Sequence, residues 1–222
     1  MAVQDSEARP DNRGRRRLPP EERERQIIDG AISFFAEVGF DGQTRELARR
    51  LGITQPLLFR YFPTKQDLID RVYDEVYLRR WRDEWTDELR DRSLSLEDRL
   101  VRYYEDYTAA IFDYEWIRIF MFSGLKGEDI NKRYLDMVRR KILSVICAEL
   151  REELGLPGPD EVPIGRDEID LAWSLHAAIF YVGVRKWAYR EAVPADLPAF
   201  IRRNVTTFLR GVGPAMREMV AG

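Results

Sequence analysis

Residues 44–62, TRELARRLGITQPLLFRYF, decide the fold of this chain because they predict two short helices that meet at a tight turn. Gly52 is expected to end the first helix, since glycine adopts the left-handed conformation that a sharp exit requires. Thr44 and Thr54 are the expected N-caps, and Pro56 falls in the first turn of the second helix, where no amide hydrogen is needed. The residues expected to point inward are Leu47, Ala48, Leu51, Ile53, Leu58 and Phe62.

The second helix of this pair has an outward edge that is polar and aromatic. A helix that projects from such a turn can enter the major groove of DNA. Gln55 offers an amide that can pair with an adenine edge, and Pro56 and Leu57 offer apolar contact to thymine methyl groups. Arg45, in the first turn of the preceding helix, can reach a guanine. The other residues on this edge are Phe59, Arg60 and Tyr61.

The sequence around this pair resembles the DNA-binding domain of the TetR family of transcriptional regulators, over residues 23–72. A string of small, apolar and aromatic residues at fixed offsets is far more specific than a bare helix-turn-helix pattern. The segments that carry the resemblance are AEVGF at 36–40, the run from Thr44 to Ile53, FRYF at 59–62 and TKQDLI at 64–69.

The resemblance implies roles for the residues around the second helix. Thr44, Tyr61 and Lys65 would bind DNA phosphates, which fixes the register without reading sequence. Phe59 stands where the family usually has tyrosine, and the missing hydroxyl would lower its contribution to affinity. The resemblance also implies a homodimer on double-stranded DNA. Its two recognition helices would lie about one DNA turn, ~34 Å, apart, so the operator would be near-palindromic.

The formal net charge of −3 argues against non-specific coating of nucleic acid, but the charge is unevenly distributed. Residues 1–65 hold twelve basic and ten acidic side chains, which leaves a net charge of −5 for the rest of the chain. Residues 1–18 are expected to form a flexible basic arm that contains Arg13, Arg15, Arg16 and Arg17. Such an arm can enter a minor groove or can be a solvated tail, and the sequence leaves both open.

The whole chain predicts an all-α fold of about nine helices, because no stretch alternates apolar and polar residues as a strand does. The expected parts are the arm at 1–18, a helix-turn-helix DNA-binding domain at 19–65, and an effector-binding and dimerisation domain at 66–222. A long fourth helix, from Lys65 to about Asp91, is expected to connect the DNA-binding domain to the effector-binding and dimerisation domain. A loop is expected at 155–165. The other helices are expected at about 20–38, 95–112, 116–124, 130–154, 167–190 and 196–212.

Aromatic residues are dense between 103 and 122. The resemblance makes them candidates for the wall of a pocket for a small, apolar or aromatic effector, although a packed core would look the same. His176 is a candidate because a lone histidine among apolar neighbours needs a partner, either a ligand or a backbone carbonyl. The candidate pocket residues are Tyr103, Tyr107, Trp116, Phe120, Trp173 and His176.

The helix over 171–184 is apolar nearly all around, which requires burial on more than one side. Apolar residues also form a stripe along the last helix. The resemblance implies that the last two long helices form a four-helix bundle with those of a second copy. The candidate interface residues are Val182, Ile201, Val205, Phe208, Leu209 and Val212.

Other features limit the function. Cys147 is the only cysteine, and neither a signal peptide nor a membrane span is indicated, so a cytoplasmic location is expected. No cofactor or metal is expected, because the chain has one histidine and no metal-ligand spacing. The leading expectation is a dimeric repressor that an effector releases from its operator. The alternatives are an effector-independent regulator or activator and, more remotely, an all-helical enzyme.

Overall fold

The computed structural model describes residues 18–126 and 129–221, so the arginine cluster at 13–17 lies outside the described residues. Within the described ranges the chain is all-helical and has no strand, which confirms the predicted fold class. The helices are α1 (Pro20–Val38), α2 (Thr44–Leu51), α3 (Gln55–Tyr61), α4 (Lys65–Val76), α5 (Glu84–Arg90), α6 (Leu96–Ile111), α7 (Tyr114–Lys126), α8 (Asp129–Val138), α9 (Ser144–Glu153), α10 (Arg166–Val184) and α11 (Leu197–Ala221).

Two π-helical segments extend these helices. Arg139–Leu143 joins α8 to α9, and Arg185–Tyr189 continues α10. In the part of the chain that the structure covers, no helix is both long and apolar enough to cross a membrane.

The first three helices pack as their sequence predicts. Gly52 ends α2 in the left-handed conformation, with φ at 64°, and Thr54 caps α3 by accepting a backbone amide hydrogen at 3.4 Å. Thr44 is the first residue of α2 and not its cap. Gln43 holds the cap position and makes no side-chain hydrogen bond there. The buried side chains in this segment are Leu47 and Ala48 on α2, Leu58 on α3, and Phe62, which follows α3.

The predicted length of the fourth helix is wrong. α4 ends at Val76, a 3₁₀ turn follows at Leu78–Arg80, and α5 begins only at Glu84. Arg80 holds this break by donating to the carbonyl oxygen of Ala110 at 3.3 Å. The break turns the chain so that α5 packs against α6 and α9 instead of projecting away from α4.

Aromatic spacing explains why the break was not predicted. Tyr73, Tyr77, Trp81 and Trp85 follow one another at intervals of four, which is the spacing of a continuous helical stripe. In the structure the ring centre of Trp85 lies 5.8 Å from the ring centres of both Tyr103 and Tyr107 on α6. Burial of this large side chain therefore stabilises the turn.

α7 fixes α1 to the C-terminal part of the chain. Arg118 donates to the carbonyl oxygens of Ala36 at 2.5 Å and Glu37 at 3.2 Å, so it satisfies acceptors at the end of α1. Its guanidinium also lies 5.1 Å from the ring centres of Tyr114 and Phe122. These contacts hold the side chain in one place between the two helices.

A buried ion pair holds the loop that the sequence predicts at 155–165. Arg151 pairs with Glu168 at 2.6 Å and donates to the carbonyl oxygen of Val162 at 2.5 Å. Burial raises the pKa of Glu168, but the hydrogen bonds and charge of Arg151 outweigh it, and the net pKa is lowered. The carboxylate therefore stays ionised inside the protein.

α11 extends to Ala221, beyond the predicted end at 212, because Val212 and Met216 remain buried along the same stripe. Gly211, Gly213 and Pro214 suggest an end from sequence alone. Continued burial of the stripe outweighs their low helix propensity.

Four of the predicted dimer-interface residues lie inside the chain itself. The stripe on α11 packs against α6, next to hydrogen bonds from Thr206 to Glu97 at 2.7 Å and from Arg202 to Asp98 at 3.3 Å. A second copy cannot contact side chains that are already covered, so the prediction needs correction for Val182, Ile201, Val205 and Val212. Phe208 and Leu209 are half-buried against the same core.

Candidate nucleic-acid interface and internal cavity

α3 presents the predicted contact residues beside the starts of α2 and α4. Pro56 and Arg60 on α3 are exposed, and Arg45 is exposed at the start of α2. Lys65 is the first residue of α4 and is partly exposed. The partly exposed residues that complete this surface are Thr44, Gln55, Leu57, Phe59 and Tyr61. We call this set the α3 edge.

Gln55 is held in place by a residue on the neighbouring helix. Its Nε2 donates to Oγ1 of Thr44 at 3.0 Å. Among the described residues, the second amide hydrogen and the carbonyl oxygen of Gln55 have no partner, and these are the two groups that pair with adenine. The hydroxyl hydrogen of Thr44 stays free to donate to a phosphate. The sequence did not indicate this bond, because only the turn at Gly52 brings the two side chains together.

The basic side chains near this surface differ in whether an acidic neighbour already neutralises them. Arg49 pairs with Glu46 at 2.7 Å, and Arg50 pairs with Glu37 at 2.6 Å. The hydrogen bond from Arg49, followed by that from Arg50, lowers the pKa of Glu46 to about 2. These two arginines are therefore matched by carboxylates that remain charged.

The α3 edge keeps its positive charge. Arg45, Arg60 and Lys65 make no ion pair with any residue of 18–126 or 129–221. The α3 edge thus combines three cationic side chains that have no acidic partner in the described chain with one positioned amide. This is the charge pattern of a surface that contacts phosphates and base edges.

A groove of about 400 Å³ lies between α3 and the start of α1. Leu18, Pro20 and Arg23 line one side, and Leu57 and Arg60 line the other. Leu18 is the last residue of the predicted basic arm, so this end of the arm lies next to the α3 edge.

A separate cavity of about 150 Å³ lies between α6, α7, α8 and α10. Four of the predicted pocket residues line it, namely Tyr107, Phe120, Trp173 and His176. The lining residues that sequence analysis missed are Tyr134, Leu135, Ala177 and Phe180. Leu135 and Ala177 are exposed, so the cavity opens to the surface between α8 and α10.

Tyr103 and Trp116, which were also predicted, do not line this cavity. Both are fully buried behind its wall: Tyr103 stacks on Tyr107 with ring centres 5.6 Å apart, and Trp116 stacks on Phe120 at 5.1 Å. Aromatic density alone cannot separate a wall from the core behind it. The missed residues of α8 lie in an ordinary amphipathic helix, which carries no signal for a pocket.

His176 finds its partner in a tyrosine hydroxyl and not in a backbone carbonyl. Tyr134 donates to the hydroxyl oxygen of Tyr107 at 3.5 Å, and that hydroxyl lies 3.2 Å from Nε2 of His176. Burial lowers the pKa of His176 to about 3, so the ring is neutral at physiological pH. Its Nδ1 is buried and has no hydrogen-bond partner among the described residues.

Residues 27–72 match the family model described as bacterial regulatory proteins, tetR family. The tetracycline repressor protein class D of Escherichia coli is 34% identical over 85 residues, which cover 35% of this chain and 39% of that protein. The HTH-type transcriptional regulator LuxR of Vibrio harveyi is 35% identical over 65 residues, which cover 29% of this chain and 32% of that protein. The chain thus matches less than half the length of these relatives.

Solved structures share the fold over most of the chain. A TetR-like transcriptional regulator from Rhodococcus sp. RHA1 aligns with a TM-score of 0.65 at 20% identity, over 88% of this chain and 100% of that one. A tetR-family transcriptional regulator from Streptomyces coelicolor aligns with a TM-score of 0.58 at 20% identity, over 92% and 87%. We conclude that residues 27–72 match the tetR family of bacterial regulatory proteins, and that the chain has the fold of TetR-family transcriptional regulators.

Proposed function

We propose that this protein is a cytoplasmic transcriptional repressor that binds a near-palindromic operator as a homodimer and is released by a small-molecule effector. The observation that carries the proposal is the α3 edge. Gln55 is positioned there by Thr44, and the charges of Arg45, Arg60 and Lys65 have no acidic partner in the described chain.

The α3 edge divides into groups that read bases and groups that bind phosphates. Gln55 pairs with adenine and Arg45 with guanine. Pro56 and Leu57 contact thymine methyl groups, and Phe59 packs against the sugar edge. The phosphate contacts come from Thr44, Tyr61 and Lys65.

The second copy binds to the outer faces of α10 and α11. Ser174, Ala178 and Tyr181 are exposed on α10 at helical spacing, and the side chain of Tyr181 is 51% exposed. Two small residues beside one large ring allow a second helix to approach closely. Phe208 on α11 is half-buried and adds apolar area to this surface. A two-fold axis here gives two α3 helices a fixed separation on one operator.

Tyr181→Arg tests the dimer. The change places a charge at the centre of the proposed interface, so we expect sedimentation velocity to detect monomer at concentrations where the wild type is dimeric. The matched control is Leu125→Arg on α7, where the side chain is 82% exposed. A Tyr181→Arg variant that sediments as a dimer would remove α10 from the interface.

The effector acts through α7. Phe120 lines the cavity, and Arg118, two residues earlier on the same helix, holds the carbonyl end of α1. A ligand that favours one position of α7 therefore also favours one position of α1, and so of the α3 edge. The long fourth helix that the sequence predicts would itself couple the effector-binding domain to the DNA-binding domain. Because α4 stops at Val76, the coupling here includes α7.

Fluorescence anisotropy on an operator fragment tests the release step. Compounds are first selected for raising the thermal midpoint of the protein and are then added to the protein–DNA complex. We expect the complex to dissociate at concentrations that saturate the protein. Compounds that stabilise the protein but leave the complex intact would favour the effector-independent regulator. Absence of any specific operator would contradict DNA binding itself.

A further inference from the structure

A groove of about 420 Å³ lies where α6 meets the end of α10 and the start of α11, and it shares no lining residue with the internal cavity. We call it the α11 groove. Its volume falls within the range of small-molecule sites, roughly 300–1,000 Å³. We propose that the α11 groove binds a short apolar peptide with free ends, about three residues long, whose amino group pairs with Glu105 and whose carboxylate pairs with Lys186.

The loop between α10 and α11 forms one wall of the groove and is fixed in place. Arg185 donates to the carbonyl oxygen of Ala192, and Oδ1 of Asp196 accepts a backbone amide hydrogen from the first turn of α11 at 2.8 Å. Pro194 and Pro198 line the groove, and their rings fix two φ angles of this wall. The groove therefore exists before a ligand arrives, so binding needs little ordering of the protein.

The middle of the groove is apolar. Val182 and Ile201 are buried beneath it, and Phe112 adds half-buried aromatic surface. Thr108 also lines the groove, but its hydroxyl already donates to the backbone carbonyl oxygen of Glu105 at 3.1 Å. Apolar side chains of a ligand are therefore stabilised here by the hydrophobic effect, while a peptide backbone can face the open side and keep its water.

α6 and α10 run in the same direction along the groove. The ring centre of His176 on α10 lies 5.0 Å from that of Tyr107 on α6. Further along both helices, Gly183 lies against Phe112, where an added Cβ would be 3.0 Å from Cε1 of the ring. The position of a residue along α10 can therefore be compared directly with positions along α6.

The two charged side chains of the groove stand at its opposite ends. Glu105 precedes Phe112 by seven residues, which is two turns, or ~10.5 Å, of α-helix. Lys186 lies beyond the level of Phe112, since its neighbour Trp187 already reaches Tyr114 at the start of α7, with ring centres 6.3 Å apart. A ligand that contacts both charges is therefore about 10 Å long.

Both end groups are available to a ligand. Glu105 and Lys186 are exposed, and neither makes an ion pair within residues 18–126 or 129–221. Asp106, next to Glu105 on α6, is by contrast paired with Arg82 at 3.2 Å. Opposite charges attract, so the matching ligand is a zwitterion that places its positive end at Glu105 and its negative end at Lys186.

An apolar tripeptide meets these requirements of length and charge. Three extended residues span about 10 Å, and free termini supply one ammonium and one carboxylate group. Apolar side chains fill the middle of the groove. A dipeptide is too short to reach both ends, and a peptide with one blocked terminus leaves one end without its partner.

Four peptides test the proposal on the full-length wild-type protein by isothermal titration calorimetry. They are alanyl-leucyl-alanine, its N-acetyl form, its C-terminal amide and the dipeptide alanyl-leucine. We expect the free tripeptide to bind about fivefold more tightly than each of the others, which corresponds to about 1 kcal/mol, the upper value for an exposed ion pair. Equal affinities, tighter binding of a blocked or shorter peptide, or no binding of the free tripeptide would overturn the proposal.

Two substitutions identify which end binds which group, and both change exposed side chains. Lys186→Met should lower the affinity for the free tripeptide about fivefold and leave that for the amide unchanged, because the amide has no carboxylate to pair. Glu105→Gln should do the same for the free tripeptide and the N-acetyl form. The matched control is Glu153→Gln, an exposed carboxylate at the end of α9, which should change none of the affinities. Variants at 105 and 186 that weaken all peptides alike would contradict the assignment of the two ends.

Ala109→Trp blocks the groove without changing its charge. Ala109 is exposed on α6 and lines the groove, so a large side chain there occupies the space of the ligand. Binding of all four peptides should be lost while the thermal midpoint of the protein stays close to that of the wild type. A tripeptide that still binds this variant with wild-type affinity lies elsewhere, and the proposal fails.

The peptide site and the proposed function can fail separately. Peptide binding requires neither an operator nor the internal cavity, so it stands even if the protein binds no specific DNA. If the peptides do not bind but a compound in the internal cavity releases the operator, the peptide site is wrong and the repressor stands.

Discussion

Gln55 is the residue at which sequence-specific binding is decided, because its free amide groups are those that distinguish adenine. Gln55→Ala should relax the base preference at one position in each half-site, with a loss of about 1–3 kcal/mol of discrimination. Competition binding with all four bases at each operator position measures this. Gln26→Ala on α1, where the side chain accepts a hydrogen bond from Arg23, is the matched control. An equal loss of affinity for every operator variant would contradict base reading.

Substitution of Lys65 tests the proposed phosphate contacts of the α3 edge. It begins α4 and has no ion pair in the described chain, so its charge is available to DNA. Lys65→Ala should weaken binding to all sequences alike and reduce the slope of log affinity against log salt by about one. Lys141→Ala, which removes a lysine already paired with Asp83, should leave the slope unchanged. A slope that Lys65→Ala does not change would exclude a phosphate contact.

At the scale of elements, Arg118 on α7 links the cavity to α1. Arg118→Ala should leave the affinity for cavity ligands unchanged but uncouple it from DNA release, because the tie to Ala36 and Glu37 is gone. Anisotropy titrations with and without ligand give both quantities. Arg102→Ala on α6, whose contact with Glu88 is exposed and 3.6 Å long, is the control. Normal release by the Arg118 variant would rule out α7 as the coupling element.

Three parts of the fold show how far the sequence alone predicts the structure. The α2–α3 pair was predictable because the cap at Thr54, the glycine at Gly52 and the apolar offsets are local and act together. The break after α4 was not predictable from sequence. Aromatic residues at intervals of four fit one continuous helix, and they fit equally a turn that packs Trp85 on α6. The stripe on α11 fits equally a second copy or α6 of the same chain, and only tertiary packing decides between them.

The lining of the cavity could likewise be predicted only in part, because it too depends on tertiary packing. Tyr107, Phe120, Trp173 and His176 stood out as aromatic residues in apolar surroundings, and the structure brings them together. Tyr103 stood out in the same way and is core. Which side of a helix faces a cavity depends on how neighbouring helices are placed, and the sequence of a single helix does not contain that information.

At the scale of the whole molecule, His176 makes stability depend on pH. Its pKa is lowered by burial from 6.5 to about 3 in the folded protein, so the unfolded chain binds a proton that the folded chain does not. The stability it contributes is complete above pH 6.5 and falls as pH drops from 6.5 towards 3. Urea unfolding should give a loss of about 2 kcal/mol between pH 7 and pH 5.

His176→Phe should remove this dependence, because the chain has no other histidine to titrate in that range. The lowered pKa of Glu168 acts separately: its stabilisation is present above pH 4.5 and is lost only as pH falls below it. A wild-type protein equally stable at pH 7 and pH 5 would contradict a buried neutral histidine.

Selection of fragments of the protein's own genome by the wild-type chain tests the central claim most directly. We predict enrichment of a near-palindromic motif whose half-sites lie about one DNA turn, ~34 Å, apart. A variant with alanine at Arg45, Gln55 and Lys65 should not enrich it. Enrichment of the same motif by that variant, or of no motif by the wild type, would contradict recognition of DNA by the α3 edge.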